Sequence, residues 1–202
     1  DFVDAFATFA GVDPTGFAFA PNGDVYVAGF RTDDVRRLSP AGVPLDTPVP
    51  PRTAGLDGPD NGITFAPDGN LYVTEITEGR VSVRAPDGTT RVVCGGLYGA
   101  NPITFHQGRL FAGECRPDGR IVELDLAGGA PRIVLENVPM PNAMEVGPDG
   151  MLYIPVMGTN EIWRVGLDGG EPQKVAGDLG VPDAVKFDAQ GFIVSTQVHS
   201  GQ

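Results

Sequence analysis

Short runs of alternating apolar and polar residues recur along this chain, and each pair of runs is joined by a turn that contains glycine. In one segment, the run ITF at 63–65 precedes an Asp-Gly turn and the run LYV at 71–73 follows it. Asn and Gly tolerate positive φ, so this pattern predicts a tight β-hairpin. No long segment has helical periodicity, so the pattern predicts an all-β protein.

The hairpin segment occurs five times, at a nearly constant spacing. The five copies begin at positions 15, 61, 101, 142 and 183, so the gaps between them are 46, 40, 41 and 41 residues. The longer first gap contains a proline-rich insertion near residues 48–51. A repeat of roughly forty residues built from short strands is typical of a β-propeller blade.

A second hairpin follows each of the first four copies, at residues 34–49, 80–93, 120–135 and 161–176. Each period therefore holds four short antiparallel strands. We predict a single β-propeller domain over residues 1–202, with five visible blades of which the last is incomplete. Residues 1–13 resemble the outermost strand that precedes each repeat. Two alternatives follow, an irregular five-bladed ring and part of a six-bladed ring, and the second is favoured.

The two faces of the predicted disc differ in their loops. Short glycine turns share one face, whereas the connections on the other face are longer and more varied, as is common for loops that carry function. Each inner strand begins on this second face, at the mouth of the central channel. The residues that open the five inner strands are Thr15, Asn61, Asn101, Asn142 and Asp183. The repeat predicts a ring of oxygen-bearing side chains at this mouth.

The ring has a structural and a functional interpretation. Asn and Asp begin strands well because their side chains bond nearby backbone, which is sufficient for any one of them. Five polar residues at one equivalent position favour a metal or substrate site. Oxygen ligands suit calcium or magnesium. Zinc is less favoured because neither of the two histidines, His106 and His199, belongs to the ring.

Two pairs of charged residues also repeat between neighbouring blades. Glu75 and Glu114 end the second strands of blades 2 and 3 on the face of the ring. They are predicted either to contact the substrate and carry protons or to be solvated loop acids. Glu145 and Lys186 occupy equivalent positions in blades 4 and 5, which predicts an ion pair between these blades.

Composition narrows the choice of partners. The formal net charge of −12 argues against a nucleic-acid partner, which needs a basic surface. No apolar run is long enough to cross a membrane, so no membrane partner is expected. Cys94 and Cys115 form neither a metal-binding spacing nor a disulfide framework, which predicts two free thiols and leaves the compartment open. The partners expected are a small-molecule substrate and a second chain or segment that completes the propeller.

Two stretches resemble the senescence marker protein, gluconolactonase and luciferin-regenerating enzyme family. They are PMPNAMEVGPDGMLYIPV at 139–156 and VPDAVKFDAQGFIVST at 181–196. The resemblance implies a six-bladed propeller with a divalent metal in its channel. It places the metal-binding Asn of the family on Asn142, its metal-binding Asp on Asp183 and a substrate-contacting Asn on Asn101.

This chain departs from the family pattern at two positions. Thr15 stands where the family carries its first metal-binding Glu. The stretch LYGA at 97–100 lacks the Arg that often precedes the substrate-contacting Asn. A further stretch, residues 62–88, resembles streptogramin lyases and the wider group of NHL-type repeats.

The leading hypothesis is a metal-dependent hydrolase of a lactone or small ester. Asn142 and Asp183 would hold the metal, and Asp183 or a rim Glu would take a proton. The predicted substrate contacts are Asn101, Asn61, Glu114, Glu75 and Thr15. The alternatives are a non-enzymatic NHL-like binding propeller and a C–O lyase of the streptogramin-lyase type.

Overall fold

The structure, a computed structural model, describes residues 13–51, 53–56, 58 and 61–198. This part of the chain folds into eighteen β-strands and no helix. The strands form four four-stranded antiparallel sheets and one two-stranded sheet. The predicted all-β propeller of four-stranded blades is confirmed, and a sixth blade stays a prediction. The strand predicted within residues 1–13 lies outside the described residues except for residue 13. His199 also lies outside them.

Each four-stranded blade uses consecutive strands paired in chain order. Blade 1 contains β1 (Pro14–Phe19), β2 (Val25–Gly29), β3 (Asp34–Leu38) and β4 (Pro44–Val49). Blade 2 contains β5 (Ile63–Phe65), β6 (Leu71–Glu75), β7 (Arg80–Arg84) and β8 (Thr90–Gly95). Blade 3 contains β9 (Ala100–His106), β10 (Arg109–Glu114), β11 (Gly119–Leu124) and β12 (Arg132–Val138).

The second half of the chain continues the pattern. Blade 4 contains β13 (Glu145–Val146), β14 (Met151–Val156), β15 (Glu161–Gly166) and β16 (Gln173–Ala176). The fifth sheet is the hairpin of β17 (Pro182–Phe187) and β18 (Ile193–Gln197). The four predicted second hairpins are therefore present, and the fifth sheet holds the inner hairpin of a blade.

Aromatic pairs lock neighbouring blades together. A tyrosine on the second strand of one blade packs against a phenylalanine on the inner strand of the next. Ring centroids are 4.8 Å apart for Tyr26 and Phe65, 5.8 Å for Tyr72 and Phe105, and 4.9 Å for Tyr153 and Phe187. Successive side chains on a strand alternate between its two faces, so this repeated pairing fixes which face of each blade meets its neighbour.

The hairpin turns carry glycine where the backbone requires it. At the turn between the first two strands of every blade, one glycine has positive φ, between 76° and 87°. These glycines are Gly23, Gly69, Gly108, Gly150 and Gly191. In blade 3 the turn has two residues, and Gln107 is left-handed as well, with φ 47°. A residue with a Cβ is strained in this conformation, which explains the recurring glycine.

The inner strands line a central channel with two different ends. Near the glycine turns, a cavity of about 590 Å³ is bordered by Phe17, Phe19 and His106.

Lys186 donates a hydrogen bond to Glu145 at 2.5 Å, which confirms the predicted ion pair between blades 4 and 5. In the portion of the chain described here, no helix has the length and apolarity needed to cross a membrane.

Candidate functional site at the loop-face mouth of the channel

At the loop-face mouth, consecutive inner strands approach one another through their backbones. A Cβ built on Gly16 would meet the carbonyl oxygen of Asn61, and one built on Gly62 would meet that of Asn101. The Thr74 hydroxyl donates to the same Asn101 carbonyl at 3.1 Å. The backbones of blades 1, 2 and 3 are therefore in close contact at the positions of the predicted ring residues.

The side chains of Asn142 and Asp183 meet between blades 4 and 5. Asn142 Nδ2 donates to Asp183 Oδ1 at 2.8 Å, and Asn142 Oδ1 accepts from the Ala143 amide at 2.9 Å. The Ala143 amide also donates to the Asp183 carbonyl at 3.1 Å, beside a parallel bridge to Ala184. The repeat spacing thus predicts correctly that these two side chains share one mouth.

Burial changes the acidity of Asp183. Removal of the carboxylate from water raises the pKa of Asp183 above its ordinary value, and the hydrogen bond from Asn142 opposes this rise. The residue remains half-buried, so its carboxylate is partly open to solvent. A carboxylate with these properties suits proton transfer to or from a bound molecule.

Asn101 contributes an acceptor that no protein group uses. The residue is only 5% exposed, and its Oδ1 atom is buried without a hydrogen-bond partner. Its neighbour is Cys115, whose thiol pKa is raised by burial, an effect that the Asn101 amide opposes and the charge of Asp183 reinforces. The thiol is therefore in the surroundings of these two ring members. The sequence predicts Cys115 only as a free thiol, because nothing in its spacing marks it as part of a site.

Thr15 and Asn61 complete the predicted ring with neutral groups. Thr15 is exposed within β1, and its hydroxyl lies 3.5 Å from the Ala28 carbonyl oxygen. Asn61 is half-buried and lies two residues before β5. Neither adds a carboxylate, so Asp183 is the acidic member of the ring.

Glu75 and Glu114 are completely buried, so the alternative that they are solvated loop acids is wrong. Glu75 accepts hydrogen bonds from Arg80 at 2.8 and 2.9 Å and a further short one from Ser82. A buried carboxylate needs such partners because an unpaired charge away from water is strongly disfavoured.

Glu114 is held by several donors. Arg120 donates at 2.9 and 3.3 Å, Arg116 lies 3.2 Å away, and the Tyr98 amide donates at 3.0 Å. Both glutamates thus fasten the loops of the mouth, and their roles as substrate contacts stay predictions. An Arg five or six residues after each Glu, Arg80 or Arg120, is the sequence signal that could have indicated a buried ion pair.

The oxygen ligands at the mouth suit a site that binds a hard divalent cation weakly. They comprise the Asp183 carboxylate and the oxygen of the Asn142 amide. Among the described residues, no group of three or more His, Cys, Asp or Glu side chains is close enough to hold a metal ion. One carboxylate with one amide oxygen would leave several positions to water, as is common for calcium and magnesium.

Four-stranded blades around a channel, with polar side chains gathered at one mouth, define a β-propeller. Several solved structures share this fold, with sequence identities to this chain of 15% to 22%. Neither a protein-family model nor a curated protein sequence matches it.

A propeller of the nidogen–laminin complex matches with a TM-score of 0.83 and 22% identity, over 96% of this chain and 75% of that one. A gluconolactonase from Xanthomonas campestris matches with a TM-score of 0.78 and 15% identity, over 92% and 70% of the two chains. A catalytically inactive variant of virginiamycin B lyase from Staphylococcus aureus, in complex with quinupristin, matches with a TM-score of 0.70 and 17% identity, over 94% and 71%. The family resemblance seen in the sequence therefore fits the fold.

Proposed function

We propose that this protein is a divalent-metal-dependent hydrolase of a lactone or small ester, with its site at the loop-face mouth of the channel. The observation that carries the proposal is the Asn142–Asp183 pair, in which Asn142 Nδ2 donates to Asp183 Oδ1 at 2.8 Å, together with a buried acceptor at another ring position, Asn101 Oδ1, that has no partner. The likeness to gluconolactonase and to streptogramin-type lyases supports a lactonase-like or lyase-like reaction.

Each residue of the mouth has a role in this reaction. Asp183 accepts a proton from the attacking water, a task suited to a half-buried carboxylate at the mouth. Asn142 orients that carboxylate through its amide hydrogen. Asn101 Oδ1 accepts a hydrogen bond from the substrate. Asn142 and Asp183 would hold a divalent cation, which would supply Lewis acidity towards the carbonyl and the water.

The lyase alternative makes a different chemical prediction. Hydrolysis adds one water to the product, whereas elimination breaks the C–O bond without adding water and leaves a double bond. Product mass therefore separates the two. His106 is the one histidine among the described residues, and it lies near the glycine turns at the other end of the channel.

The test is a panel of lactones and small esters assayed before and after chelation, with calcium, magnesium and other divalent ions restored singly. We expect turnover that is lost on chelation and restored by metal. Asp183→Asn should lower kcat/KM about a hundredfold or more, because the proton acceptor is removed. Asp178→Asn is the matched control, since Asp178 is exposed and its φ of 57° suits Asn.

Two results would overturn the proposal. The first is hydrolysis that survives chelation unchanged. The second is an Asp183→Asn variant that is as active as Asp178→Asn. Complete absence of turnover over the panel, with a partner bound on the loop face, would instead support the non-enzymatic binding propeller.

A further inference from the structure

Two buried side-chain atoms within the described part of the chain have no hydrogen-bond partner, Asn101 Oδ1 and Arg116 Nε. Native proteins leave few such atoms, because an unsatisfied buried polar group costs free energy. Both atoms belong to blade 3 at the loop-face mouth. Cys115 directly precedes Arg116 in the sequence. The Cys115 amide donates to the carbonyl oxygen of Gly99, two residues before Asn101, at 2.8 Å. We call Tyr98, Asn101, Cys115 and Arg116 the blade-3 rim.

The backbone of Arg116 is firmly placed. Its carbonyl oxygen accepts from the Met140 amide at 2.8 Å and from the Gly119 amide at 3.0 Å. Its guanidinium lies 5.7 Å from the centre of the Tyr98 ring and 3.2 Å from the Glu114 carboxylate. The guanidinium is therefore held over the loop that leads into Asn101.

Charge at the blade-3 rim favours an anion. The buried carboxylate of Glu114 faces two guanidinium groups, those of Arg116 and Arg120. Asp118 lies 3.7 Å from Arg116, but its side chain is 73% exposed and its charge is largely screened by water. Two guanidinium groups thus adjoin the one buried carboxylate of this cluster, and its other carboxylate, Asp118, is exposed, within a protein whose net charge is −12.

Tyr98 covers this cluster without being buried itself. Its side chain is 70% exposed, although its amide is anchored to Glu114. Gly96 and Gly99 flank it with φ values of 74° and 70°. A large exposed aromatic ring that rests on a guanidinium can be moved aside by a ligand that replaces the stacking contact.

We propose that Arg116 is a substrate-recognition residue, and that the substrate carries a carboxylate in addition to its scissile ester. The carboxylate binds Arg116 Nε beneath Tyr98, and a donor group of the substrate binds Asn101 Oδ1. This inference rests on the proposed function for the reaction but concerns a different part of the molecule bound.

Binding of two lactams that resist hydrolysis tests the inference. Pyroglutamate carries a ring carboxylate, and 2-pyrrolidone is the same ring without it. Calorimetry on the wild-type protein should show pyroglutamate binding about tenfold or more tightly, as expected for a charge-assisted hydrogen bond. Arg116→Gln should remove this preference. Arg91→Gln is the charge-matched control, because Arg91 lies on the outer strand β8 and is exposed.

Arg116→Lys keeps the positive charge and guards against misfolding of the Gln variant. It should retain only part of the preference, because Lys is a point charge without the planar fork of Arg. The inference is overturned if the wild-type protein does not distinguish the two lactams, or if both Arg116 variants keep the full preference.

The outcome is separable from that of the proposed function. Lactone turnover without a carboxylate preference that depends on Arg116 would leave the hydrolase proposal standing and overturn this inference. An Arg116-dependent preference for pyroglutamate without any lactone turnover would support the inference as a carboxylate-binding site and count against the hydrolase.

Discussion

Blades 2 and 3 are built from the same pattern but differ at the mouth of the channel. Each ends its second strand with a fully buried glutamate, Glu75 or Glu114, that is held by an arginine at the start of the third strand. In blade 2 a neutral hydroxyl from Ser82 joins this pair, whereas in blade 3 the cation Arg116 joins it.

The two blades share a glutamate–arginine pair, and blade 3 carries further groups around it. The glutamate–arginine pair fastens the connection between the second and third strands in both blades, which is a structural role. The second cation, the exposed Tyr98 ring and the unpartnered Asn101 Oδ1 occur together in blade 3. A repeated scaffold thus acquires a candidate site by altering a few side chains on one blade.

The largest effect should come from neutralising the two glutamates. Glu75→Gln and Glu114→Gln should each lower the free energy of unfolding by about 3 kcal/mol, because a buried carboxylate is replaced by a neutral amide and its half-buried arginine partners lose their counter-charge. Urea denaturation measures both losses. A variant of either glutamate that is as stable as the wild-type protein would contradict the structural role of the glutamate–arginine pair.

A smaller loss of stability should follow from a substitution that forces blades 2 and 3 apart at the mouth. In Gly62→Ala the new Cβ would meet the Asn101 carbonyl oxygen and lie 2.8 Å from Ile103 Cγ2. Such overpacking should cost about 1–3 kcal/mol in the free energy of unfolding. Thermal or urea denaturation measures this. Gly95→Ala is the control, since a Cβ there meets nothing within 4 Å, and a Gly62→Ala protein as stable as this control would refute the close approach.

The smallest effect concerns the outer half of the blades, where blade 3 carries Glu123 and blade 2 carries the buried Val83. Glu123 binds Arg109 at 2.8 Å and Arg132 at 2.6 Å, and these partners, Arg109 first, lower the pKa of Glu123 to about 2. Glu123→Gln should lower the free energy of unfolding at neutral pH by about 1 kcal/mol, as is usual for pairs near the surface.

The pH dependence of that difference is fixed by the sign of the shift. The pKa of Glu123 is lower in the folded protein than its ordinary value of 4.5, so the charge stabilises the fold above pH 4.5. This contribution is lost as the pH falls from 4.5 towards 2. Urea unfolding of the wild-type and variant proteins over this range should show the two converging, and a gap that does not change with pH would contradict the assignment.

Sequence alone predicts the blades well because their determinants are local. Alternation of apolar and polar residues fixes which face of a strand is buried, and a glycine at each turn fixes where the chain reverses. Residues at equivalent positions of the repeat then lie at equivalent places in the fold. That logic brings Asn142 and Asp183, forty-one residues apart, to one mouth, where their side chains are hydrogen-bonded.

The sequence by itself thus determined the strands, the turns and the face on which the ring residues lie. Only the tertiary structure decided which polar groups lose contact with water and which partners they find. The sequence predicts Glu75 and Glu114 to be either substrate contacts or solvated loop acids, and both are completely buried in the fold. Partner choice and desolvation depend on how separate loops pack together, so Tyr98, Asn101 and Arg116 become a single cluster only when blade 3 closes over its own connections.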